Sequence, residues 1–491
     1  MPLSARAIAY IFAVIFIEGY IVLSTELLAI RTLVPYVGNG TDTISIIIAA
    51  VLLPLAAGYF SGGKFRPSLK GAPWNKTIRR KLSQNILVAT AIILAGLSFL
   101  PSIIIIESII KTVSTDRLVV TSLFSAVFLV IPVYLLGQTT PLLSNFFSKE
   151  KLSEVTGKIL FISTLGSFVG ATFTTLFLMA TIGVHNTVLV NIVLASLLYL
   201  SLNFKFDQQK TLVGAGVLII TAIGMNSGSL IERLGIVENN TYNLIAIKTF
   251  PQSDDFKHET KTLILNNTIS SGIDTEGKPF EYIQYVDDHF IKTVPESKKP
   301  IEILVIGAGA FTVGLDDLTN NYDFIDIDAS LKPIAEKYIL ESPLPENKKF
   351  EATPARGFLS SSDKKYDLIL IDVYFGLYNV PEHLVTQDFL EQVRSALKPG
   401  GIITANFIVD SMMRDKFSAN LDETFRSVFP NTRAQIVSED LKPWTEESNP
   451  EFTNKVNMIY FSSNPTEDDF HRQIYTDDLN ASYKDRPRSL R

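Results

Sequence analysis

The chain has 491 residues, 47% of them hydrophobic, a mean hydropathy of +0.24 and no cysteine. That length exceeds one ordinary domain, and the apolar balance excludes a disordered or nucleic-acid-coating protein. The missing cysteines exclude disulfides, Cys-ligated zinc, iron–sulfur clusters and thiol catalysis. The net charge of −6 divides into +8 over residues 1–230 and −14 over residues 231–491, which separates a membrane-like half from an acidic soluble half.

A helix needs roughly 20 mostly apolar residues to cross a bilayer. Seven runs approach or meet that length: 7–30, 44–60, 86–106, 118–136, 159–182, 187–202 and 212–230. They are apolar all the way round, unlike surface helices with one apolar stripe. The seventh has the weakest end, where residues 225–229 read Met-Asn-Ser-Gly-Ser. The first run is full length without a small-residue cleavage site, so it reads as a span.

Lys and Arg in short loops mark the cytoplasmic side. Lys64, Arg66, Lys70, Lys76, Arg79, Arg80 and Lys81 follow the second run. Lys149, Lys151 and Lys158 follow the fourth, and Lys205 and Lys210 follow the sixth. With Arg6 these make 13, against Arg31, Lys111 and Arg117 on the alternate side. The N-terminus is therefore expected in the cytoplasm. Seven spans then put the acidic half outside, whereas six or eight put it inside.

Within the first run, Glu18 and Glu26 lie about 80° apart around a helix. Carboxylates are costly among spans and mark functional positions; the plainer reading pairs Glu26 with Arg31 and turns Glu18 to a neighbouring helix. Gly166 and Gly170 suit close helix packing. The stretch 136–141, which ends in Pro141, is expected to close the fourth run.

After a polar link over 232–241 the pattern shifts to short strands and amphipathic helices. Strands are expected at 244–250 and 262–265, then at 302–307, 322–328, 366–372 and 402–407, with an amphipathic helix over 387–397. Strands alternating with helices predict an open, mostly parallel sheet, whose ligands sit beyond the carboxyl ends of the strands. Gly307 and Gly309 follow the first such strand and allow backbone to approach a ligand. Asp326, with Asp328 next in line, ends the second and can accept hydrogen bonds from ribose hydroxyls. This strand, Gly-x-Gly, strand, acid order points to a dinucleotide or S-adenosyl ligand. The five histidines have no metal-ligand spacing, so no metal is expected. His383 reads as a surface loop residue, with a place bordering the site after Asp372 as the alternative, and the acidic balance gives no nucleic-acid patch.

The stretches 303–309 (Ile-Leu-Val-Ile-Gly-Ala-Gly), 325–328, 366–372 and 384–390 resemble the polyamine aminopropyltransferases, the spermidine synthases. Residues 242–245, 263–266 and 280–282 resemble that family's N-terminal β domain and tyrosine motif. Residues 26–31 and 55–63 resemble the membrane-fused spermidine synthase-like proteins. The resemblance implies a helical membrane bundle (1–230), a small β domain (240–293) and a Rossmann-like methyltransferase/spermidine synthase domain (300–464), followed by a polar, poorly ordered tail (465–491).

It further implies aminopropyl transfer from decarboxylated S-adenosylmethionine to an amine, with Asp372 as proton acceptor, Tyr282 beside the substrate, Asp326 on the ribose and Ala355 near the adenine. S-adenosylmethionine and methyl transfer are the related choice. The expected partners are the bilayer and small nucleoside and amine substrates, with a homodimer left open. A cytoplasmic C-terminal half is the side the resemblance favours. Five residues depart from the family: Phe375 replaces the second acid of the Asp-x-x-Asp motif, Phe311 replaces the Asp of the glycine-rich motif, Thr353-Pro354 replaces a Gly-Asp pair, and Ile283 replaces the polar residue after the motif tyrosine. Phe311 and Phe375 imply a more apolar pocket. The competing reading is a catalytically degenerate, ligand-binding or transport-associated membrane protein.

Overall fold

The computed structural model describes residues 4–66, 74–147, 152–203, 208–253, 256–375, 380–437, 455–462 and 475–477. Lys70, Lys149, Lys151, Lys205 and most of the tail 465–491 lie outside the described residues.

Among the described residues, five helical segments are long and apolar enough to cross a membrane: Ala5–Val37, Thr41–Lys64, Arg117–Ser144, Ser153–Asn203 and Gln208–Arg233. The first two are named α1 (Ala5–Val37) and α2 (Thr41–Lys64). The bent pair α3 (Trp74–Leu97) and α4 (Phe99–Thr112) makes a sixth if it is taken as one span. The segment Arg117–Ser144 carries its helix past Pro141, beyond the expected close.

The 51-residue segment Ser153–Asn203 is two antiparallel rods. Along its first part, Gly166 abuts the Phe16 carbonyl, Gly170 the Tyr20 carbonyl, and Thr174 Oγ1 bonds Ser24 Oγ at 2.9 Å. Numbers rise together, so this part runs parallel to α1. In its second part Asn191 bonds Thr25 and Ser201 bonds Tyr10, so that part runs antiparallel. The reversal is at Gly183, whose φ of 79° and ψ of 170° favour glycine, and where a Cβ would lie 2.9 Å from the Asn239 carbonyl. Gly166 and Gly170 act in packing, as their spacing predicts.

The run expected over 86–106 is broken. α3 and α4 meet at Ser98 with a 69° bend. A straight helix would drive the Pro101 ring into the Leu97 carbonyl. The Phe99 N–H freed by the break donates to Asn226 Oδ1 at 3.0 Å, and Asn226 Nδ2 donates to Ser98 Oγ at 3.1 Å.

The C-terminal half sits on one end of the bundle. Arg31, which the sequence pairs with Glu26, instead donates through Nε to the Asn240 carbonyl at 2.9 Å. Thr41 Oγ1 donates to Glu382 at 2.9 Å, Asn267 donates to the Pro35 carbonyl at 3.4 Å, and Phe99 packs with Ile236, Leu244, Ala246 and Ile264. These contacts involve the end of α1, the start of α2 and α4. Arg6, Lys64, Lys76, Arg79 and Lys210 lie at the opposite helix ends.

β1 (Ile236–Asn239), β2 (Leu244–Phe250), β3 (Thr260–Leu265) and β4 (Thr268–Asp274) form an antiparallel sheet in that order. The link expected over 232–241 thus contains a strand, because Ile236 is buried against α4. The second sheet contains β5 (Glu302–Ile306), β6 (Asn321–Asp326), β7 (Lys348–Ala352), β8 (Tyr366–Ile371), β9 (Leu397–Asp410), β10 (Thr432–Ile436) and β11 (Lys455–Ser462). Its order is β10-β11-β9-β8-β5-β6-β7, parallel except for β11. This is the Rossmann-like α/β class expected. The strand expected at 402–407 is the middle of the 14-residue β9. The connection reverses direction between β5 and β8, which opens a crevice at their carboxyl ends. In the tail, Tyr475 is fully buried and its carbonyl accepts from Gln387 N, so this part is docked rather than loose.

Candidate active site

β8 is apolar and almost wholly buried between β5 and β9, so the first polar side chain after it emerges at the crevice. That side chain is Asp372. Its Oδ2 accepts from the Tyr282 hydroxyl at 2.8 Å and its Oδ1 from Asn406 Nδ2 at 3.0 Å. Burial pushes the carboxyl up to about 6 while both hydrogen bonds pull it back. Burial, and then the adjacent carboxylate, raises the Tyr282 phenol well above its ordinary value and keeps it a donor.

Gly307 has φ 97°, and a Cβ there would lie 2.0 Å from the Asp372 carbonyl oxygen. Gly309 has φ 50°, and its Cβ would lie 2.4 Å from Ser271 Oγ, which accepts from Ala310 N. The glycines therefore close the turn onto β8 and onto the small sheet, besides lining the crevice. Asp326 ends β6. Its oxygens accept from Ala308 N and Asp328 N, both at 3.1 Å, and burial raises its carboxyl to about 6. Ala355 starts the short helix Ala355–Ser361 on the same wall.

Gly307, Gly309, Asp326, Ala355, Tyr282 and Asp372 line one cavity of about 1070 Å³. Asp328 does not. It is 1% exposed and accepts from Asn240 Nδ2, Asn243 Nδ2 and Ser330 Oγ. The chain turns it away from the crevice toward the seat of the bundle, where its charge faces Arg31.

Phe311 also differs from expectation. At φ 59° its ring folds into the core against Phe324 and Phe350, with centroids 5.1 and 5.2 Å away, and it is fully buried. Phe375 does face the cavity, as does His383, which sits in the 3-10 turn Glu382–Leu384 and so borders the site instead of lying in a surface loop away from it.

Sequence reasoning missed Asn406. β9 runs parallel to β8 with Ala405 beside Ile371, so Asn406 falls next to Asp372. The available signal was a polar residue inside the apolar strand 402–409. Its Oδ1 is buried with no partner among the described residues. Tyr374 was missed too; it donates to the Asn406 carbonyl at 2.8 Å and accepts from Ile408 N at 2.7 Å. Among the described residues no group of three or more His, Asp or Glu side chains is arranged for a metal ion.

No family model matches the chain. A polyamine aminopropyltransferase of Vibrio vulnificus (strain CMCP6) is 36% identical over 138 residues, 27% of this chain and 44% of that protein. An N-terminal histidine N-methyltransferase of Emericella nidulans is 31% identical over 172 residues, 33% of this chain and 28% of that protein. Among solved structures, a probable spermidine synthase from Corynebacterium glutamicum is 21% identical at a TM-score of 0.36, covering 45% of this chain and 77% of that one. The matches span less than half the length of the curated relatives. Part of the chain is thus similar to polyamine aminopropyltransferases and to a methyltransferase, and the resemblance read from its sequence is borne out.

Proposed function

We propose that the chain is a membrane-anchored transferase that binds S-adenosylmethionine or its decarboxylated form and moves a methyl or aminopropyl group to an amine. One observation carries this reading: a buried carboxylate, Asp372, held by Tyr282 and Asn406 in the cavity that Gly307, Gly309 and Asp326 also line. The sulfonium donor supplies an activated carbon. Asp326 holds the ribose, Ala355 borders the adenine, Asn406 Oδ1 accepts from the incoming amine and Asp372 takes its proton. Calorimetric titration with both nucleosides tests the donor, and absence of heat from either removes it. Phe375 on the wall favours the competing reading, a ligand-binding protein without catalysis. If Asp372→Asn leaves donor turnover intact, that reading takes over.

The anchor is read from the apolar segments and the basic loops. Basic residues at one end of the bundle put the N-terminus in the cytoplasm. The α/β half, seated on the opposite end, then faces away from the cytoplasm, the reverse of the side that the resemblance favours and a placement that counts against an S-adenosyl donor. A reporter fused after residue 491 decides this. A cytoplasmic signal overturns the assignment.

A further inference from the structure

The cavity has a second end that the α/β half does not build alone. Asn39, in the short link between α1 and α2, lines the same cavity as Asp372. Tyr242, Ile269 and Ile327 stand on that cavity wall with 41%, 40% and 45% of their surface exposed. Two of them follow a residue that touches the bundle end, and the third is next to a residue bonded to one of these. Tyr242 follows Asn240, whose carbonyl holds Arg31; Ile269 follows Asn267, which holds Pro35; Ile327 precedes Asp328, bonded to Asn240. An exposed apolar rim gathered at one mouth marks an interaction site.

Asn39 on the cavity wall is two residues before α2 begins at Thr41. Exposed positions on α2 run Thr41, Ser45, Ile48, Leu52, Ala56 and Phe60, at the three- and four-residue spacing of one helix face. On a membrane-spanning helix this face meets acyl chains. At the reacting end, Tyr374 and Phe375 complete the wall beside Asp372, a setting for one nitrogen on an alkyl chain.

We propose that the acceptor is an amphiphilic primary amine held in the bilayer, its head entering past Asn39 to Asp372 and its tail lying along α2. This rests on the transferase reading above. The neutral amine nitrogen forms a C–N bond to the carbon beside the donor sulfonium. The C–S bond breaks and its electron pair leaves with the thioether nucleoside. The proton shed by the new ammonium passes to the Asp372 carboxylate and then to water. One carboxylate suffices for one nitrogen.

The test uses the full chain in phosphatidylcholine nanodiscs, with hexadecylamine carrying a diazirine near its tail end and 1,4-diaminobutane as the soluble counterpart. Thioether release should be at least tenfold faster with the long-chain amine, and light should attach the probe within residues 41–64. A preference for diaminobutane, or labelling confined to other helices, overturns the bilayer route. Ile269→Asp should raise the KM for the long-chain amine at least fivefold, and an unchanged KM counts against the mouth. Calorimetry with the donor keeps the two readings apart. Absent donor heat removes the transferase, while the labelled peptide still decides where the amine lies.

Discussion

The two halves use glycine for the same physical reason and to different ends. In the bundle, Gly166 and Gly170 let α1 approach until a Cβ would lie 2.1 and 2.4 Å from the Phe16 and Tyr20 carbonyls. In the sheet, Gly307 brings the turn after β5 within 2.0 Å, on the same measure, of the Asp372 carbonyl. Close approach in the bundle joins helices. In the sheet it joins a cavity-lining turn to the strand end that carries Asp372. The same substitution should therefore separate stability from chemistry. Gly307→Ala meets both a backbone clash and a positive φ, and should cost about 2–4 kcal/mol of stability and abolish donor binding. Gly166→Ala should loosen the bundle with donor affinity within twofold. Calorimetry and thermal unfolding of both variants check this, and equal losses of donor affinity break the distinction.

Asp372 tests the sheet side next. As a base it must be ionised, so kcat/KM referred to the neutral amine should rise about tenfold per pH unit below about 6 and level off above it. Asp372→Asn should lower turnover about 10²–10⁴-fold. The effect on stability has the opposite sign. A carboxyl raised to about 6 in the folded chain binds its proton more tightly than in the unfolded chain, so stability falls as pH climbs from 3.8 through about 6. Above that window Asp372→Asn should unfold at a higher temperature than the parent by an amount worth about 1–3 kcal/mol. A less stable variant at pH 8 would contradict the buried charge.

Asn406 sharpens the point. Its Nδ2 is one of two donors holding the Asp372 carboxyl down. Asn406→Ala should move the midpoint of the pH profile upward and cut turnover about tenfold. A purely packing role would lower turnover without moving the midpoint.

Periodicity made most of the fold legible. β5 and β8 were readable because a buried strand is a short apolar run with polar ends, and β6 because its buried and half-buried residues nearly alternate before the closing acids. The helix Gln387–Ala396 was readable from its apolar stripe, and the structure adds its cap, Thr386, whose hydroxyl accepts from Phe389 N. What stayed hidden depends on distant parts of the chain. The bend at Ser98 needs Asn226 to accept the freed N–H, and β1 needs α4 to cover Ile236. At the site, Asp372, Tyr282 and Asp326 were readable from strand ends and motif residues. Asp328 and Phe311 were not, since strand-end logic places acids at a crevice without saying which way each side chain turns. Asn39 carried no signal because it reaches the cavity only through the seat of one half on the other.

That seat gives the smallest expected effect. The Glu382 carboxylate accepts from both the N–H and the hydroxyl of Thr41 at the start of α2, at 3.3 and 2.9 Å. An exposed carboxylate at a helix N-terminus contributes about 0.3–1 kcal/mol, less in salt. Glu382→Gln should therefore lower the unfolding midpoint by only about 1–3 °C, with the difference shrinking as salt is raised. The interface has heavier supports: the apolar packing of α4 on β1–β3, and Arg31 on the Asn240 carbonyl. If Glu382→Gln instead separates the unfolding of the two halves into distinct transitions, the polar contact at α2 rather than the apolar face of α4 holds them together. The bundle would then position the cavity loop through one exposed ion–dipole contact, and the mouth at Asn39 should widen with salt.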